Sequence, residues 1–504
     1  MLKRELTASV AGYRREHLYF IVALCLLVAF AAVVEWNGYY STIGMDGFHY
    51  VRAGVSLLSS GQYVNPSGKP EVWFPPVYPI LIGIGSLGGR LNPHATARII
   101  SVAFAIALVP LLWSAAYKCT RSKTAATIAA AILTLNPTFL NYSTASLSEI
   151  IATVFLTCAL LVWLRADPSP KSGFLLGLFS AFAYLTRPEA VLPLAVWCLY
   201  DLATRQRPLK TLLWTGLAFL ICVLPYNVFL YRTTGHLFSN KSEVNLAGGR
   251  GTYYGWAREW IDPDALTMSY FTPPHPVTLK QEIGRYLAKS KELRYLYTSL
   301  VGGTHRAAAA LTLIACALAL FLALQGRARA GVFSLLLYLA VLPGYSLKDR
   351  YLLESLPAMA ILCGAAVAMR WGKPWLRIGL GTAALAGLVM NLAALPPQFM
   401  PHTGSRLQQR AGLVLLDAPS NAVLLEGVSR VAYYAHRDRQ QRTVQPLDLN
   451  VRYACKTYPG RQLYVVSLAS ANEKPPVTKL SVPMIFTEGK DTLTITPITA
   501  DCSW

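Results

Sequence analysis

Charged residues are scarce in this chain of 504 residues. They make up 14% of the sequence, against roughly 25% in ordinary soluble domains, so a soluble fold of this length would lack the polar residues that cover its surface. Hydrophobic residues make up 54% and aromatic residues 11%, which excludes an intrinsically disordered chain. The composition therefore predicts a protein that lies mostly in lipid.

Other patterns are also missing. The sequence has nine cysteines, but it has no CxxC pair and none of the His/Cys spacings that are typical of zinc sites. It has no internal repeat, no low-complexity tract and no related halves of the kind that transporters show. Zinc-finger and repeat architectures are therefore not expected.

Long apolar runs dominate the chain instead. A helix that spans a bilayer needs about 20 mostly apolar residues, and such runs recur with basic clusters between them. They predict a polytopic α-helical membrane protein with about eleven spans. The spans are expected near 18–35, 95–117, 124–141, 148–164, 173–187, 190–203, 211–231, 306–325, 330–346, 352–369 and 376–395.

Lysine and arginine residues predict the orientation of these spans. They flank the N-terminus and every even-numbered span exit, and short basic loops stay in the cytoplasm. The N-terminus is therefore expected in the cytoplasm and the C-terminus outside the cytoplasmic (inner) membrane. Much of the net charge of +21 is this orientation signal and indicates no nucleic-acid partner. The alternative for the first run is a cleaved signal peptide, with small residues at Ala29 and Ala31.

Three outer segments are too long to be turns. They are 36–94, 232–305 and the tail 397–504. The tail is less apolar than the rest of the chain. We therefore predict a transmembrane domain over 1–396 and a small extracytoplasmic α+β domain over 397–504.

The tail carries the signals of secondary structure outside the membrane. Gln462–Leu468 and Thr492–Pro497 alternate in hydrophobicity as strands do, and Ser429–Arg439 has the pattern of a helix. Cys455 and Cys502 are the two cysteines of the tail. An oxidising compartment would permit a disulfide between them.

Asp46 is the first candidate for chemistry. It follows the first span, and Tyr50, Ala53 and Leu57 come after it at helical spacing, so the segment is predicted to be an amphipathic helix at the membrane surface. A carboxylate there can accept a proton from a hydroxyl or amine acceptor within hydrogen-bond reach. The alternative from periodicity alone is that Asp46 is the N-cap of the helix.

Other outer segments place charges beside apolar runs, where an unpaired charge is costly. Glu149 opens the fourth span, as a first-turn acid or as a site residue. Arg187 and Glu189 lie between spans five and six, where Arg187 either snorkels to lipid headgroups or binds an anion. Arg350 has donors that suit phosphate, and Lys241 is a further outer cation. Acids and cations on one membrane face suit a lipid-phosphate substrate, because cations stabilise charge on a leaving phosphate.

These motifs together resemble the integral-membrane GT-C glycosyltransferases. The resemblance is strongest to the family 39-type branch, which includes bacterial protein O-mannosyltransferase-like enzymes and the lipid A aminoarabinose transferase. It extends over about 20–360. The matching residues are Asp46, Tyr50, Ala53, Leu57, Leu58, Gly61 and Tyr63, then Pro75, Pro76, Tyr78 and Pro79, then Ser148 and Glu149, then Thr186, Arg187, Pro188 and Glu189, and finally Arg350, Tyr351 and Pro357.

The resemblance implies transfer of a sugar from a polyprenyl-phosphate carrier to an acceptor on the outer face, with inversion of the anomeric centre. It implies Asp46 as the catalytic base. The expected ligands of the donor phosphate are Arg350, Tyr351, Arg187 and Lys241. The other site candidates are Glu149, His49, Arg52, Glu189 and Tyr78; the spacing of Asp46, His49 and Arg52 is similar to the first loop of oligosaccharyltransferase subunits.

The sequence departs from the family pattern before Pro75 and Pro76. Some members have an acid and a lysine there, whereas this chain has Trp73 and Phe74, with Glu71 two residues earlier. No metal ligand is therefore predicted, although a divalent metal stays open as a cofactor. The Trp-Trp-Asp motif of oligosaccharyltransferases is absent, which disfavours en bloc glycan transfer.

The expected partners are the polyprenyl-phosphate sugar, membrane lipid and an acceptor that is a protein, a lipid or a polysaccharide. Two other functions share an outer charged mouth. A transporter or flippase for a lipid-linked glycan would place ionisable groups in mid-membrane, and most spans here lack them. A glycan polymerase or ligase would differ from a single-sugar transferase in the length of its product.

Overall fold

The described residues between 15 and 368 form a helical bundle. The computed structural model describes residues 15–36, 42–165, 168–235, 237, 259–262, 267–270, 316–317, 319–321, 324–341, 349–368, 403–419, 421–426, 430–441, 447–470, 484–488 and 491–498. The helices of the bundle are α1 (Arg15–Glu35), α2 (Met45–Ser60), α3 (Val77–Gly85), α4 (Pro93–Thr120), α5 (Lys123–Thr134), α6 (Pro137–Ser143), α7 (Glu149–Trp163), α8 (Pro170–Tyr184), α9 (Val191–Thr204), α10 (Leu209–Thr234), α11 (Gly326–Val341) and α12 (Leu356–Ala368). Short 3-10 helices occupy Pro188–Ala190 and Asp349–Leu352, and two antiparallel strands, β1 (Glu259–Asp262) and β2 (Thr267–Tyr270), lie between α10 and α11.

Three of the described helices are long and apolar enough to cross a membrane. They are α1 from His17 onward, α4 and α10, and α5, α7 and α12 are shorter apolar helices. The three long helices coincide with the spans predicted near 18–35, 95–117 and 211–231. These helices support a membrane protein, and the count of eleven spans stays a prediction.

Side-chain caps begin several helices where the sequence changes from polar to apolar. The Asn92 side chain accepts a hydrogen bond from the backbone N–H of Ala95, and Pro93 occupies the first position of α4. Ser169 and Pro170 begin α8 in the same way. An oxygen side chain satisfies a free N–H of the first turn, and proline has no N–H to leave unpaired.

Small residues let the bundle helices approach closely. A Cβ atom on Gly177 of α8 would collide with the carbonyl oxygen of Thr215 in α10, and one on Gly364 of α12 would collide with that of Ala125 in α5. Such close backbone contacts are the usual packing mode of membrane helices. One apolar cluster joins α1, α4 to α9, α11 and α12.

The outer segment between α1 and α4 is held firmly against this bundle. Helix α2 crosses α3 at Gly54 and Gly83, where neither position has room for a Cβ atom. The hydroxyl of Tyr50 in α2 lies 2.8 Å from Ser148 Oγ, directly before α7. The hydroxyl of Tyr78 in α3 donates to the carbonyl oxygen of Ala97 in α4 at 3.0 Å. Helix α2 therefore has a fixed position at one end of the bundle.

The C-terminal unit, residues 403–498, is built around a five-stranded mixed sheet. Its elements are α13 (Thr403–Val414), a 3-10 helix (Leu415–Asp417), β3 (Val423–Glu426), α14 (Arg430–Tyr434), β4 (Asp438–Gln441), α15 (Leu447–Thr457), β5 (Leu463–Ser470), β6 (Met484–Glu488) and β7 (Asp491–Ile498). The strand order is β4-β3-β5-β7-β6. β3 is parallel to β4 and β5, whereas β7 is antiparallel to β5 and β6.

The strands predicted at Gln462–Leu468 and Thr492–Pro497 are confirmed as β5 and β7. The helix predicted over Ser429–Arg439 is shorter, because β4 already begins at Asp438. Cys455 is disulfide-bonded, and its predicted partner, Cys502, lies outside the described residues. The other seven cysteines are free.

The C-terminal unit packs directly on helix α2. Phe48 of α2 and Tyr433 of α14 make an edge-to-face contact, with ring centroids 5.4 Å apart. Residues of α2, α3, α13, α14, β5 and β7 form one shared apolar cluster. The hydroxyl of Tyr458, directly after α15, also donates to the carbonyl oxygen of Ser67 at 3.3 Å. Tyr433 also lies beside His94 at the start of α4, with ring centroids 6.0 Å apart, so the unit contacts both α2 and the bundle.

Candidate active site

Four of the charged residues predicted for the outer mouth, Asp46, Glu149, Arg187 and Arg350, meet in one buried ionic network. Nη2 of Arg350 lies 2.6 Å from Oδ2 of Asp46, and its Nε lies 3.3 Å from Oε1 of Glu149. Nη1 of Arg187 lies 2.9 Å from the same Glu149 oxygen. Nε of Arg187 lies 2.5 Å from Oε1 of Glu354. All five residues are buried, so the network is shielded from solvent.

Each residue of the network comes from the end of an element. Asp46 lies in the first turn of α2, whose N-cap is Gly44, so the alternative in which Asp46 caps the helix is wrong. Glu149 is the first residue of α7. Arg187 directly precedes a 3-10 helix, and Arg350 lies within another. Helix ends from distant parts of the sequence thus meet at one end of the bundle.

Four carboxylates share the two guanidinium groups of this network. Besides Asp46, Glu149 and Glu354, the side chain of Glu189 lies 3.7 Å from Nη2 of Arg187. Every guanidinium nitrogen of Arg187 therefore faces a carboxylate. This arrangement holds the acids in place around Arg187.

Arg350 differs from Arg187 because one of its guanidinium nitrogens faces no carboxylate within the described part of the chain. Its Nη2 also donates to the hydroxyl of Tyr351 at 3.2 Å, and no described residue accepts a hydrogen bond from its Nη1. Burial alone would lower the pKa of the Arg350 guanidinium, but Asp46, Tyr351 and Glu149 raise that pKa well above its ordinary value. Arg350 therefore stays charged and keeps one donor nitrogen for a ligand.

Tyr351 lies between the two arginines. The guanidinium carbon of Arg187 lies 4.9 Å from the centre of its ring, and that of Arg350 lies 5.0 Å away, which is within the range of cation–π attraction. Burial raises the pKa of Tyr351, although the two arginines act in the opposite direction. Because its oxygen accepts from Arg350, its own hydrogen is left to donate.

A second polar pair, between His49 and Glu71, lies on the same segment and was not predicted. Nδ1 of His49 lies 2.6 Å from Oε2 of Glu71, whose side chain is fully buried. The other Glu71 oxygen accepts a hydrogen bond from the backbone N–H of Trp73 at 2.8 Å. His49 was predicted as a site residue without a partner. The sequence signal for its partner is Glu71, an acid three residues before Phe74 in a chain where acids are rare.

Comparisons with known proteins agree with this architecture. Residues 74–240 match the family model described as dolichyl-phosphate-mannose-protein mannosyltransferase. The structure is similar to that of ArnT from Cupriavidus metallidurans bound to undecaprenyl phosphate, with a TM-score of 0.59 and 13% identity over 95% of this chain and 97% of that chain. The chain has the GT-C fold. The resemblance predicted from the motifs is thereby confirmed.

Other proteins with the GT-C fold give the same result. The archaeal oligosaccharyltransferase AglB from Archaeoglobus fulgidus, in complex with an inhibitory peptide and a dolichol-phosphate, matches with a TM-score of 0.57 and 13% identity over 90% of this chain and 69% of that chain. The mycobacterial arabinofuranosyltransferase AftD matches with a TM-score of 0.50 and 13% identity over 95% of this chain and 41% of that chain. A comparison with curated proteins gave no significant match.

The remaining candidates have different positions within the GT-C fold. Tyr78 is fully buried and its hydroxyl is bonded to α4, so it anchors the outer segment. Arg52 is exposed on α2, and Lys241 lies outside the described residues. Within the part of the chain that the structure describes, no group of three or more His, Cys, Asp or Glu side chains could hold a metal ion.

A separate charged cluster lies at the other end of α7. Asp201 is fully buried, and its Oδ1 lies 2.9 Å from Nη2 of Arg327 while its Oδ2 lies 3.3 Å from Nε of Arg207. Trp163, the last residue of α7, donates its indole N–H to Asp201 at 2.8 Å. Glu149 begins the same helix, so the two clusters are separated by the length of α7, about 22 Å at the usual rise of an α-helix.

Proposed function

We propose that this chain is a glycosyltransferase that moves a sugar from a polyprenyl-phosphate donor to an acceptor at the outer face of the cytoplasmic membrane. The mannosyltransferase family match and the GT-C fold support glycosyl transfer in general. Undecaprenyl phosphate and dolichol-phosphate in two structural neighbours support a lipid-phosphate donor. The observation that carries the proposal is the ion pair between Asp46 and Arg350, because it sets a candidate base beside a candidate phosphate ligand.

In this proposal Asp46 acts as the catalytic base. Its carboxylate takes the proton from the hydroxyl or amine of the acceptor, whose freed electron pair attacks the anomeric carbon of the sugar. The bond between that carbon and the phosphate oxygen breaks, and the phosphate leaves with the bonding electrons. Attack from the face opposite the leaving group inverts the anomeric centre.

Arg350 and Tyr351 are proposed to bind the phosphate. Nη1 of Arg350 and the hydroxyl hydrogen of Tyr351 are the donors that the network leaves unused, and fixed donors stabilise the charge that develops on a leaving phosphate. We propose Lys241 as a further cation for the phosphate. We propose Arg187 as another cation of the phosphate site, which also positions Glu149 and Glu354.

The first experiment compares Asp46→Asn with the unaltered chain in membranes that contain a polyprenyl-phosphate sugar. Asn keeps the size of the side chain but cannot accept a proton, so transfer should fall about 10²- to 10⁴-fold. Asp417→Asn is the matched control, because Asp417 is exposed in the C-terminal unit. Full activity of Asp46→Asn at equal expression would remove Asp46 as the base.

The product of the same reaction separates the alternatives. Mass spectrometry of a single-sugar transferase product shows the mass of one added sugar, whereas a polymerase gives a ladder of products. A flippase forms no new glycosidic bond. Membranes in which no acceptor gains a sugar, at verified expression and with donors of several sugar types, would contradict the proposed function.

A further inference from the structure

We propose that His49 and Glu71 form a proton relay for the proposed transfer reaction, in which His49 takes the acceptor's proton from Asp46 and releases it to water. The inference rests on the proposed function and adds a second acid–base element to the same site. It is carried by the 2.6 Å pair between Nδ1 of His49 and Oε2 of Glu71. A carboxylate that holds one imidazole nitrogen leaves the other nitrogen for chemistry.

Burial and hydrogen bonds hold the Glu71 carboxylate in place beside His49. The Glu71 side chain is fully buried, and burial of an isolated carboxylate is costly unless its oxygens are bonded. One oxygen accepts the backbone N–H of Trp73 and the other faces His49. An ionised carboxylate can only accept hydrogen bonds, so the hydrogen of the neutral imidazole lies on Nδ1. Nε2 of His49 therefore carries a lone pair.

The position of His49 suits the transfer of a proton out of the site. It lies three residues after Asp46 on α2, and residues at this spacing are neighbours on one helix face. No described residue is bonded to its Nε2. The His49 side chain is 13% exposed, whereas that of Asp46 is 9% exposed and paired with Arg350. His49 is therefore the more accessible of the two groups.

A relay is useful because a protonated Asp46 is unfavourable beside Arg350. A nearby positive charge favours the ionised carboxylate. Asp46 must also lose its new proton before it can act as the base in the next reaction. The proton passes from Asp46 to Nε2 of His49, and Glu71 stabilises the imidazolium that forms. Release of that proton from Nε2 to water restores neutral His49. Each turnover then moves one proton from the acceptor to solvent.

The pH dependence of this relay depends on the groups around the pair. The titratable and charged groups on the elements that pack around it include Asp46, Tyr50 and Arg52 on α2, Tyr63 on the segment before α3, Tyr78 on α3, Glu149 on α7, Tyr226 on α10 and Tyr433 on α14. Neutral His49 is required to accept a proton. The transfer rate should therefore fall in acid, where a protonated His49 has no lone pair left to accept the proton from Asp46.

Chemical rescue of a His49 variant by imidazole is the most specific test of the relay. His49→Ala should lower the rate of sugar transfer about 10²-fold, and added imidazole should restore much of that rate by occupying the space of the missing ring. His17→Ala is the matched control, because His17 lies near the start of α1 with Nδ1 3.3 Å from the Thr127 hydroxyl, and the rest of α1, about 27 Å at the usual helical rise, separates it from the segment that leads to α2. Its rate should not change, and imidazole should have no effect on it.

The Glu71→Gln variant tests whether Glu71 stabilises the protonated form of His49. Gln can still bond to His49 but cannot stabilise an imidazolium by charge, so the acid limb of the pH–rate profile should move to lower pH.

If His49→Ala expresses poorly, His49→Gln takes its place in the pH profile, where the imidazole limb should disappear. An unchanged rate and profile in the His49 variants would overturn the relay, and so would a slow variant that imidazole does not restore. An unaltered chain without transfer would overturn the proposed function itself.

Discussion

Arg187 shows how much a single residue contributes to the ionic network. It is buried against Glu149 and Glu354, and removing one partner of a buried ion pair leaves an uncompensated charge. Arg187→Met should therefore lower the stability of the folded chain by roughly 3–5 kcal/mol, measured by thermal unfolding in detergent. Glu189→Gln is the comparison, because the Glu189 carboxylate lies 3.7 Å from Arg187, beyond hydrogen-bond distance, so this variant should lose less stability than Arg187→Met. Equal losses in the two variants would contradict this assignment.

At the same scale, the sequence could indicate which residues matter but not how they pair. Charges beside apolar runs are costly, and this principle was sufficient to select Asp46, Glu149, Arg187 and Arg350. Asp46 and Arg350 are 304 positions apart, so their contact depends on the packing of whole helices. The His49–Glu71 pair went unpredicted for a similar reason, because a turn of unknown geometry separates the two residues.

The crossing of α2 and α3 is the element-scale feature on which the site depends. Gly54 lies against the carbonyl oxygen of Pro79, and a Cβ atom there would collide with backbone that cannot move aside. Gly54→Ala should therefore shift α2 and lower the transfer rate about 10²-fold, since small misplacements of catalytic groups have effects of this size. Gly44→Ala, which meets no atom within 4 Å, is the control. A Gly54→Ala variant as active as Gly44→Ala would show that this crossing does not position Asp46.

Elements were predicted well where a local signal defines them. The spacing after Asp46 predicted α2, and alternating hydrophobicity predicted β5 and β7. The sheet order β4-β3-β5-β7-β6 could not be predicted, because strand pairing depends on partners that are distant in the sequence. Helices α5 and α12 are shorter than the thickness of a bilayer. The length of an apolar run alone therefore does not fix where a membrane helix begins and ends.

On the scale of the whole molecule, the C-terminal unit completes the support of the site. It touches α2 through the contact of Tyr433 with Phe48, two residues after Asp46 and one before His49. The bundle fixes one side of α2 through Tyr50, and this contact fixes another. We therefore expect the unit to act on the transfer rate although none of its described residues belongs to the ionic network.

Tyr433→Ala should lower the transfer rate about tenfold, because loss of an aromatic pair costs about 0.5–1.5 kcal/mol beyond the lost burial and lets α2 move. Tyr433→Phe keeps the ring and should retain most of the rate. Ile485→Ser, at a side chain that is 61% exposed in the same unit, should change neither rate nor stability. The decisive measurement is the rate at saturating donor. A loss confined to donor affinity would place the unit at the donor site, whereas a loss at saturation supports positioning of α2 from outside the bundle.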